Sequence, residues 1–282
     1  MTENNRFIQA GVIGWPISHS LSPRLHGYWL KEHDINGVYE PLAIPPDSLR
    51  LFLLKLASQE FAGVNITVPH KEAAVAHMDT LDDNARRIGA VNTVVVQEGT
   101  LYGGNTDGFG FMENLKDGAP DWAANQGPVT VLGAGGAARA IVAALLEAGV
   151  GELRLVNRTR ERADQLAKEI GGAITVIDWD KRTSALEEIG LLVNTTTLGM
   201  KDKDPLDLDL ENLPASAVVT DIVYTPLITP LLTTARQLGN PVVDGLGMLL
   251  HQARPGFFFW FGVKPEVTDA LRAFILEGLE EC

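Results

Sequence analysis

A short apolar run, a glycine-rich turn and an alanine-rich helical stretch follow one another at the centre of this chain: Val129-Thr-Val-Leu-Gly133-Ala134-Gly135-Gly136-Ala137-Ala138. Glycine lets the backbone turn sharply and approach a pyrophosphate with no Cβ in the way, while the first N–H groups and the dipole of the following helix face the anion. The segment therefore reads as the opening strand, turn and helix of a dinucleotide-binding fold. It opens only after well over a hundred residues, so the earlier part of the chain is expected to be a separate unit that brings something to the cofactor.

Apolar runs and helical patterns alternate in both halves. In the first, Ala10–Gly14, Val38–Ala43, Gly63–Val68 and Val91–Val96 read as strands, with helical patterns at Pro23–His33, Asp47–Leu56 and through Val75. This order predicts an α/β domain whose sheet is mixed. Gly118–Pro128 has linker composition. Strand candidates then begin near Val129, Leu153, Ala173, Leu191, Val218 and Val242, the complement of a complete doubly wound Rossmann sheet. Two helical patterns fill Leu246–Glu281, and the bulky run Phe257–Phe261 reads as a buried helix surface.

At 282 residues, 45% of them hydrophobic, the chain has room for two cores. Its net charge of −13 argues against nucleic acid and anionic membrane surfaces as partners. The polar start Met1–Gln9 lacks the apolar stretch of a signal peptide, and Cys282, the single cysteine, excludes an internal disulfide framework. A soluble cytoplasmic protein is expected. The histidines, among them His19, His26, His70 and His251, have no metal-ligand spacing, so no metal is expected.

The second strand of the nucleotide unit runs into Asn157-Arg158-Thr159 and carries no acidic residue at its end. An Asp or Glu there would bond the ribose 2′-hydroxyl of NAD and repel a phosphate. Arg158, with Arg162 one turn on, can clamp a 2′-phosphate, which predicts NADP(H). The competing reading is a solvated strand end and helix cap.

A nicotinamide cofactor leaves orientation and a proton relay to the protein. Asn65-Ile-Thr67-Val-Pro-His-Lys71 puts Asn65 and Thr67 on one face of a strand and Lys71 at the start of a following helix. Asn92-Thr93 closes a Gly-Ala-Val turn, and Asn105-Thr106-Asp107-Gly108 follows a glycine pair. A lysine beside an aspartate can protonate a carbonyl oxygen as hydride arrives and recover the proton from water. Taken singly, Lys71 reads as a surface lysine and Asp107 as a helix cap. Ser22 before Pro23 likewise reads as a cap, although paired hydroxyls at a helix start also suit a carboxylate.

Taken together, Ser20-Leu-Ser22-Pro, Asn65 to Lys71, Gly89-Ala-Val-Asn-Thr, Asn105-Thr-Asp-Gly, Gly133-Ala-Gly-Gly-Ala, Asn157-Arg-Thr and Asp244-Gly-Leu-Gly-Met resemble the shikimate dehydrogenases, over almost the whole chain. The resemblance implies NADPH-dependent, reversible reduction of 3-dehydroshikimate to shikimate in aromatic amino-acid biosynthesis. It implies a substrate domain over 1–108, an NADP-binding Rossmann domain over 109–244, and C-terminal helices over 245–282 returning to the first domain. By the same resemblance Lys71 is the acid/base and Asp107 its partner. Ser20, Ser22 and Tyr224 take the substrate carboxylate, and Asn65, Thr67, Asn92 and Gln252 its ring hydroxyls. Gly133, Ala134, Gly135, Gly136 and Ala137 cradle the pyrophosphate; Asn157, Arg158, Thr159 and Arg162 hold the adenosine phosphate. Ile222, Gly245 and Met248 lie near the nicotinamide, and Asp83 also falls at a family cofactor position.

Asn194-Thr-Thr-Thr-Leu-Gly-Met200 and Ile222 depart mildly from the commoner family pattern, in ways that would affect cofactor fit. Relatives that also oxidise quinate tend to carry threonine in place of the second serine and an acidic cofactor-reading residue. Ser22 and Arg158 argue against that broader quinate/shikimate dehydrogenase. A non-catalytic NADP(H) sensor is disfavoured by the presence of both Lys71 and Asp107. Monomer and homodimer are both compatible with the sequence.

Overall fold

Two six-stranded sheets organise the protein, each grown from one of the alternating halves of the sequence. The computed structural model describes residues 7–58 and 60–280, so Cys282 and the first six residues of the polar start lie outside the described residues. One unit runs to Thr106 and resumes at Leu250; the other is Asp107–Leu249.

The first unit holds β1 (Ile8–Gly14), α1 (Ser22–Glu32), β2 (Gly37–Ala43), α2 (Leu49–Leu56), β3 (Phe61–Ile66), β4 (Thr80–Leu81), α3 (Asp83–Ile88), β5 (Thr93–Gln97) and β6 (Thr100–Gly104). Its sheet order is β2-β1-β3-β5-β6-β4. The β1, β2 and β3 pairings are parallel and those of β3–β5 and β5–β6 antiparallel, which is the mixed sheet the sequence predicts. The hairpin from β5 to β6 turns through Glu98 and Gly99, both at positive φ. The helix expected through Val75 is only a 3-10 turn, Ala73–His77, and Lys71 lies ahead of it in irregular backbone. The backbone oxygen of Lys71 accepts from Val91 N (2.8 Å), and this tether beside β5 replaces the helical bond.

The second unit holds α4 (Asp107–Gly118), β7 (Val129–Leu132), α5 (Gly136–Glu147), β8 (Leu153–Asn157), α6 (Arg160–Ile170), β9 (Ile174–Asp178), β10 (Leu191–Asn194), β11 (Val218–Asp221), α7 (Pro230–Gln237) and β12 (Val242–Val243). The sheet order β12-β11-β10-β7-β8-β9 is parallel throughout, and all six expected strands are in it. The order reverses between β7 and β10, the switch point beside which ligands bind in such sheets. Gly118, the first residue of the stretch with linker composition, ends α4, and 119–128 is irregular backbone that follows it within this unit.

Two helices close the chain, α8 (Leu246–Phe261) and α9 (Asp269–Glu280). From Leu250 onward they pack on the first unit, with Phe257, Trp260 and Phe261 buried and Phe258 and Phe259 turned out, the alternation expected of a one-sided helix. Two indole bonds fix this docking: Trp260 Nε1 donates to Val94 O (3.1 Å) and Trp29 Nε1 to Glu266 O (3.1 Å).

His26 sits at the centre of that aromatic core, 0% exposed, stacked on Tyr39 at 3.8 Å and flanked by Trp29, Phe257 and Trp260. Neither ring nitrogen has a hydrogen-bond partner among the described residues. Burial lowers its pKa from 6.5 to about 3. The unfolded chain therefore takes up a proton below pH 6.5 that the folded protein refuses until about pH 3. The associated stability is complete above pH 6.5 and declines as pH falls through that window; by pH 5 the loss is about 2 kcal/mol. His26→Phe keeps the stacked ring and removes the titrating nitrogens. Its Tm should fall less than wild type's between pH 7 and pH 5, and equal slopes in the two proteins would contradict this assignment.

Candidate active site

The first unit gathers polar side chains at the carboxyl ends of β1 and β3 and the amino end of β5. Asn65 on β3, 6% exposed, donates both amide hydrogens inward, to Asn92 O (3.0 Å) and Thr93 Oγ1 (3.1 Å). Thr93 Oγ1 donates to Asn92 Oδ1 (2.9 Å), which also accepts from Thr106 N (2.9 Å). Asn92 Nδ2 donates to Thr106 Oγ1 (3.0 Å) and, more weakly, to Gln252 Oε1 (3.4 Å). Thr106 Oγ1 in turn donates to Gln252 O (2.8 Å). Three expected substrate residues, Asn65, Asn92 and Gln252, thus belong to one continuous ladder, and two threonines with no assigned role, Thr93 and Thr106, form its rungs.

The serine pair behaves differently from the capping expectation. The residue at the cap of α1 is Leu21, with no side-chain capping bond, and Ser22 is already helical with Pro23 beside it. Ser20 Oγ accepts from Ser22 N (3.3 Å) and so satisfies one free N–H of the first turn. The Ser22 hydroxyl is bonded to the Tyr39 phenol instead.

Thr67 and Lys71 lie on the loop beyond β3. Thr67 N bonds Ile13 O (2.9 Å), His70 N bonds Thr67 O (2.9 Å), and the buried His70 donates Nε2 to Ile44 O (2.7 Å). The loop is therefore pinned on both sides of the half-buried Lys71. Asp83 stands exposed in the first turn of α3, which is capped by Asp82 Oδ1 accepting from Ala85 N (2.6 Å). It joins none of the first unit's ladder bonds.

In the second unit the glycine turn follows β7 at the switch point. Gly133 has φ +109°, and a Cβ there would lie 2.5 Å from Thr195 Oγ1, so a side chain is excluded on both counts. Gly135 precedes α5 with no side-chain cap, and the first turn of that helix has no acidic residue. The first turn around Gly136 and Ala137 thus has no side-chain cap, the setting in which a helix start can receive an anion, with Ala134 buried beneath the turn.

Beyond β8, Asn157 Nδ2 donates to Thr159 O (2.7 Å) and shapes the turn that presents Arg158. Arg139 and Arg160 are committed to ion pairs, with Glu169 and with Asp178 and Asp164. Arg158 and Arg162 are exposed and make no ion pair among the described residues. Two cations with no internal counter-charge are what a 2′-phosphate requires.

The loops after β10 and β11 are joined by a buried carboxylate. Asp221 Oδ1 accepts from Asn194 Nδ2 (3.1 Å) and Val223 N (3.0 Å), and Oδ2 from Thr229 Oγ1 (2.8 Å). Burial pushes its pKa up against the lowering effect of these three bonds. This clamp sets the backbone carrying Ile222 and Tyr224. Burial also raises the Tyr224 pKa, which keeps the phenol protonated and able to donate. A Cβ on Gly245 would meet Ile222 O at 2.4 Å, so these two residues are packed backbone to backbone, with Met248 buried one turn along α8. Asp107 opens α4 and is 4% exposed.

Among the described residues no helix is long and apolar enough to cross a membrane, and no group of three or more His, Cys, Asp or Glu could hold a metal.

Three family profiles match in chain order: the shikimate dehydrogenase substrate binding domain over residues 12–94, shikimate / quinate 5-dehydrogenase over 118–200, and the shikimate 5'-dehydrogenase C-terminal domain over 245–273. The shikimate dehydrogenase (NADP(+)) of Paramagnetospirillum magneticum is 60% identical over 268 residues, 95% of this chain and 97% of that protein. Among solved structures, shikimate 5-dehydrogenase from Thermus thermophilus in complex with NADP(H) and shikimate is 40% identical with a TM-score of 0.84, covering 97% of this chain and 99% of that one. Quinate dehydrogenase from Corynebacterium glutamicum in complex with NAD is 31% identical with a TM-score of 0.89, over 96% and 100%. The backbone is thus common to proteins named for two substrates, and discrimination must rest on side chains.

Proposed function

The chain belongs to the shikimate dehydrogenase family, and on that premise we propose that it reduces 3-dehydroshikimate to shikimate, reversibly, with NADP(H). The observation that carries the substrate half of this reading is the buried ladder from Asn65 through Thr93, Asn92 and Thr106 to Gln252. Such a set of neutral, pre-oriented amides and hydroxyls suits a polyhydroxylated ring. The Gly133 turn and the two uncommitted arginines fit the cofactor half.

When bound, NADPH supplies the hydride. The chain supplies everything else. Lys71 donates a proton to the carbonyl oxygen of the ring as negative charge develops there, and Asp107 is its partner at that oxygen. Ser20, Ser22 and Tyr224 present hydroxyls to the ring carboxylate; Asn65, Thr67, Asn92 and Gln252 hold the hydroxyls. Gly133, Ala134, Gly135, Gly136 and Ala137 hold the pyrophosphate, and Asn157, Arg158, Thr159 and Arg162 the adenosine phosphate. Ile222, Gly245 and Met248 form the apolar seat for the nicotinamide. Asp83 completes the cofactor set by resemblance alone. A cytoplasmic site of action goes with this reading.

Purified protein should reduce NADP+ with shikimate, and a quinate-specific kcat/KM should be lower by about 100-fold, the scale on which one added hydroxyl is discriminated. Comparable turnover of quinate would displace this reading in favour of a quinate/shikimate dehydrogenase. Tight NADPH binding without turnover of either acid would favour the sensor.

A further inference from the structure

Tyr39, on β2, faces away from solvent at 5% exposure, and its hydroxyl meets two of the residues assigned above to the substrate. It donates to Asn65 Oδ1 at 2.6 Å and is also bonded to the Ser22 side chain. A phenol has one proton to give. Since that proton lies on the Asn65 carbonyl, the Ser22 hydroxyl is the donor in the second bond.

Counting hydrogens then fixes the polarity of Asn65. Both of its amide hydrogens are used, on Asn92 O and Thr93 Oγ1, and the backbone carbonyl among these partners forbids the flipped amide. One lone pair of Oδ1 is taken by Tyr39. What remains is a single acceptor position, so Asn65 can receive a proton from a ligand and cannot give one.

We propose that Tyr39 and Thr93 are positioning residues for the substrate: they hold Asn65 as an acceptor that reads a ring hydroxyl, and Tyr39 parks the Ser22 proton where it can turn to a carboxylate. This rests on the assignment of Ser22 and Asn65 to substrate binding. The Ser22 hydroxyl can rotate from Tyr39 to a ligand without moving its oxygen, so the same geometry serves with and without substrate. His26 supports the arrangement from behind. Stacked on the phenol ring with a 3° interplanar angle and buried neutral, it restrains the ring without competing for the hydroxyl.

The test is steady-state kinetics on Ser22→Ala, Tyr39→Phe and their double variant, with shikimate and NADP+ varied in turn. Tyr39→Phe keeps the stacked ring and removes only the oxygen. It should raise the shikimate KM by roughly 5- to 10-fold, the scale of one lost buried hydrogen bond, with kcat changed less than about 3-fold and the NADP+ KM unmoved. Ser22→Ala should raise it similarly, and the double variant by distinctly less than the product, because the two share a bond. If Ser22→Ala leaves the shikimate KM unchanged, the assignment of the serine to the substrate fails. If Ser22→Ala raises it while Tyr39→Phe does not, or if the two effects multiply in full, the assignment stands and the positioning role of Tyr39 is overturned. Should Tyr39→Phe not fold, Thr93→Val carries the test, since it strips Asn65 of a tether at constant shape. The same rise in shikimate KM at near-constant kcat is expected, and no rise would overturn the inference.

Discussion

Replacing Lys71 with alanine will lower kcat for shikimate oxidation by about 10³-fold and leave the shikimate KM within a few-fold of wild type. Positioned general acid–base groups contribute roughly 10²- to 10⁴-fold, and the loss falls on kcat when the interaction matters mainly in the transition state. In the oxidation direction the amine of Lys71 takes the hydroxyl proton as hydride leaves, the reverse of its step in reduction, so it is needed most in that transition state and least when the ground-state ring is held by hydroxyls and amides. The substitution should be well tolerated by the fold. Lys71 is half-buried, and the contact that holds its loop, from Val91 N to Lys71 O, is a backbone bond that alanine keeps. Initial rates over a range of shikimate concentrations at saturating NADP+ check this. A large rise in KM at unchanged kcat would make Lys71 a binding residue instead.

Exchanging Arg158 for aspartate should reverse cofactor preference, with the ratio of kcat/KM for NADP+ over NAD+ falling by about 10³-fold. A charge-assisted bond to phosphate is worth about 1.5–3 kcal/mol, or roughly 10- to 100-fold, and a carboxylate in its place adds repulsion of the phosphate and an acceptor for the ribose hydroxyls. Arg162 remains and would soften the effect. Stability should be nearly unchanged, because Arg158 is exposed and has no ion pair to lose among the described residues. The check is the KM for NADP+ and for NAD+ at saturating shikimate. An NADP+ KM within about 3-fold of wild type would remove Arg158 from phosphate recognition, since even one lost charge-assisted bond should cost more.

Much of the architecture was legible because burial leaves a periodic trace. All six strands of the parallel sheet appear as apolar runs, and the mixed first sheet follows from the order of apolar runs and helical patterns in the first half. The elements that escaped notice are those whose pattern is weak. The strand β6 contains two glycines in five residues, and the hairpin leading to it uses Glu98 at positive φ, where Asn or Asp would have announced the turn. The helix expected after β3 fails for a tertiary reason, since the backbone oxygen of Lys71 is bonded across to Val91 rather than along the chain.

The candidate site divides in the same way. Gly133, Arg158 and Lys71 could be singled out because each is chemically conspicuous in its local setting: a glycine before a helix, a cation where an acid is usual, a lysine after a polar strand. Ser22 reads as a cap or a binding group in the sequence, and the helix boundary removes the first reading, because Leu21 is at the cap and the serine hydroxyl is turned to Tyr39. Tyr39 itself has no local signal. It is one aromatic residue in a strand.

The chain's own order of residues determined the two α/β units, the nucleotide turn and the chemistry on offer, since these depend on periodicity and on neighbours a few positions apart. Only the tertiary structure decided what the polar groups of the site can do. Tyr39 meets Asn65 across 26 positions of sequence and Asn92 meets Gln252 across 160. Whether a buried amide gives or accepts a proton is settled by such distant partners, and therefore by sheet register and by the helix that returns to cover them.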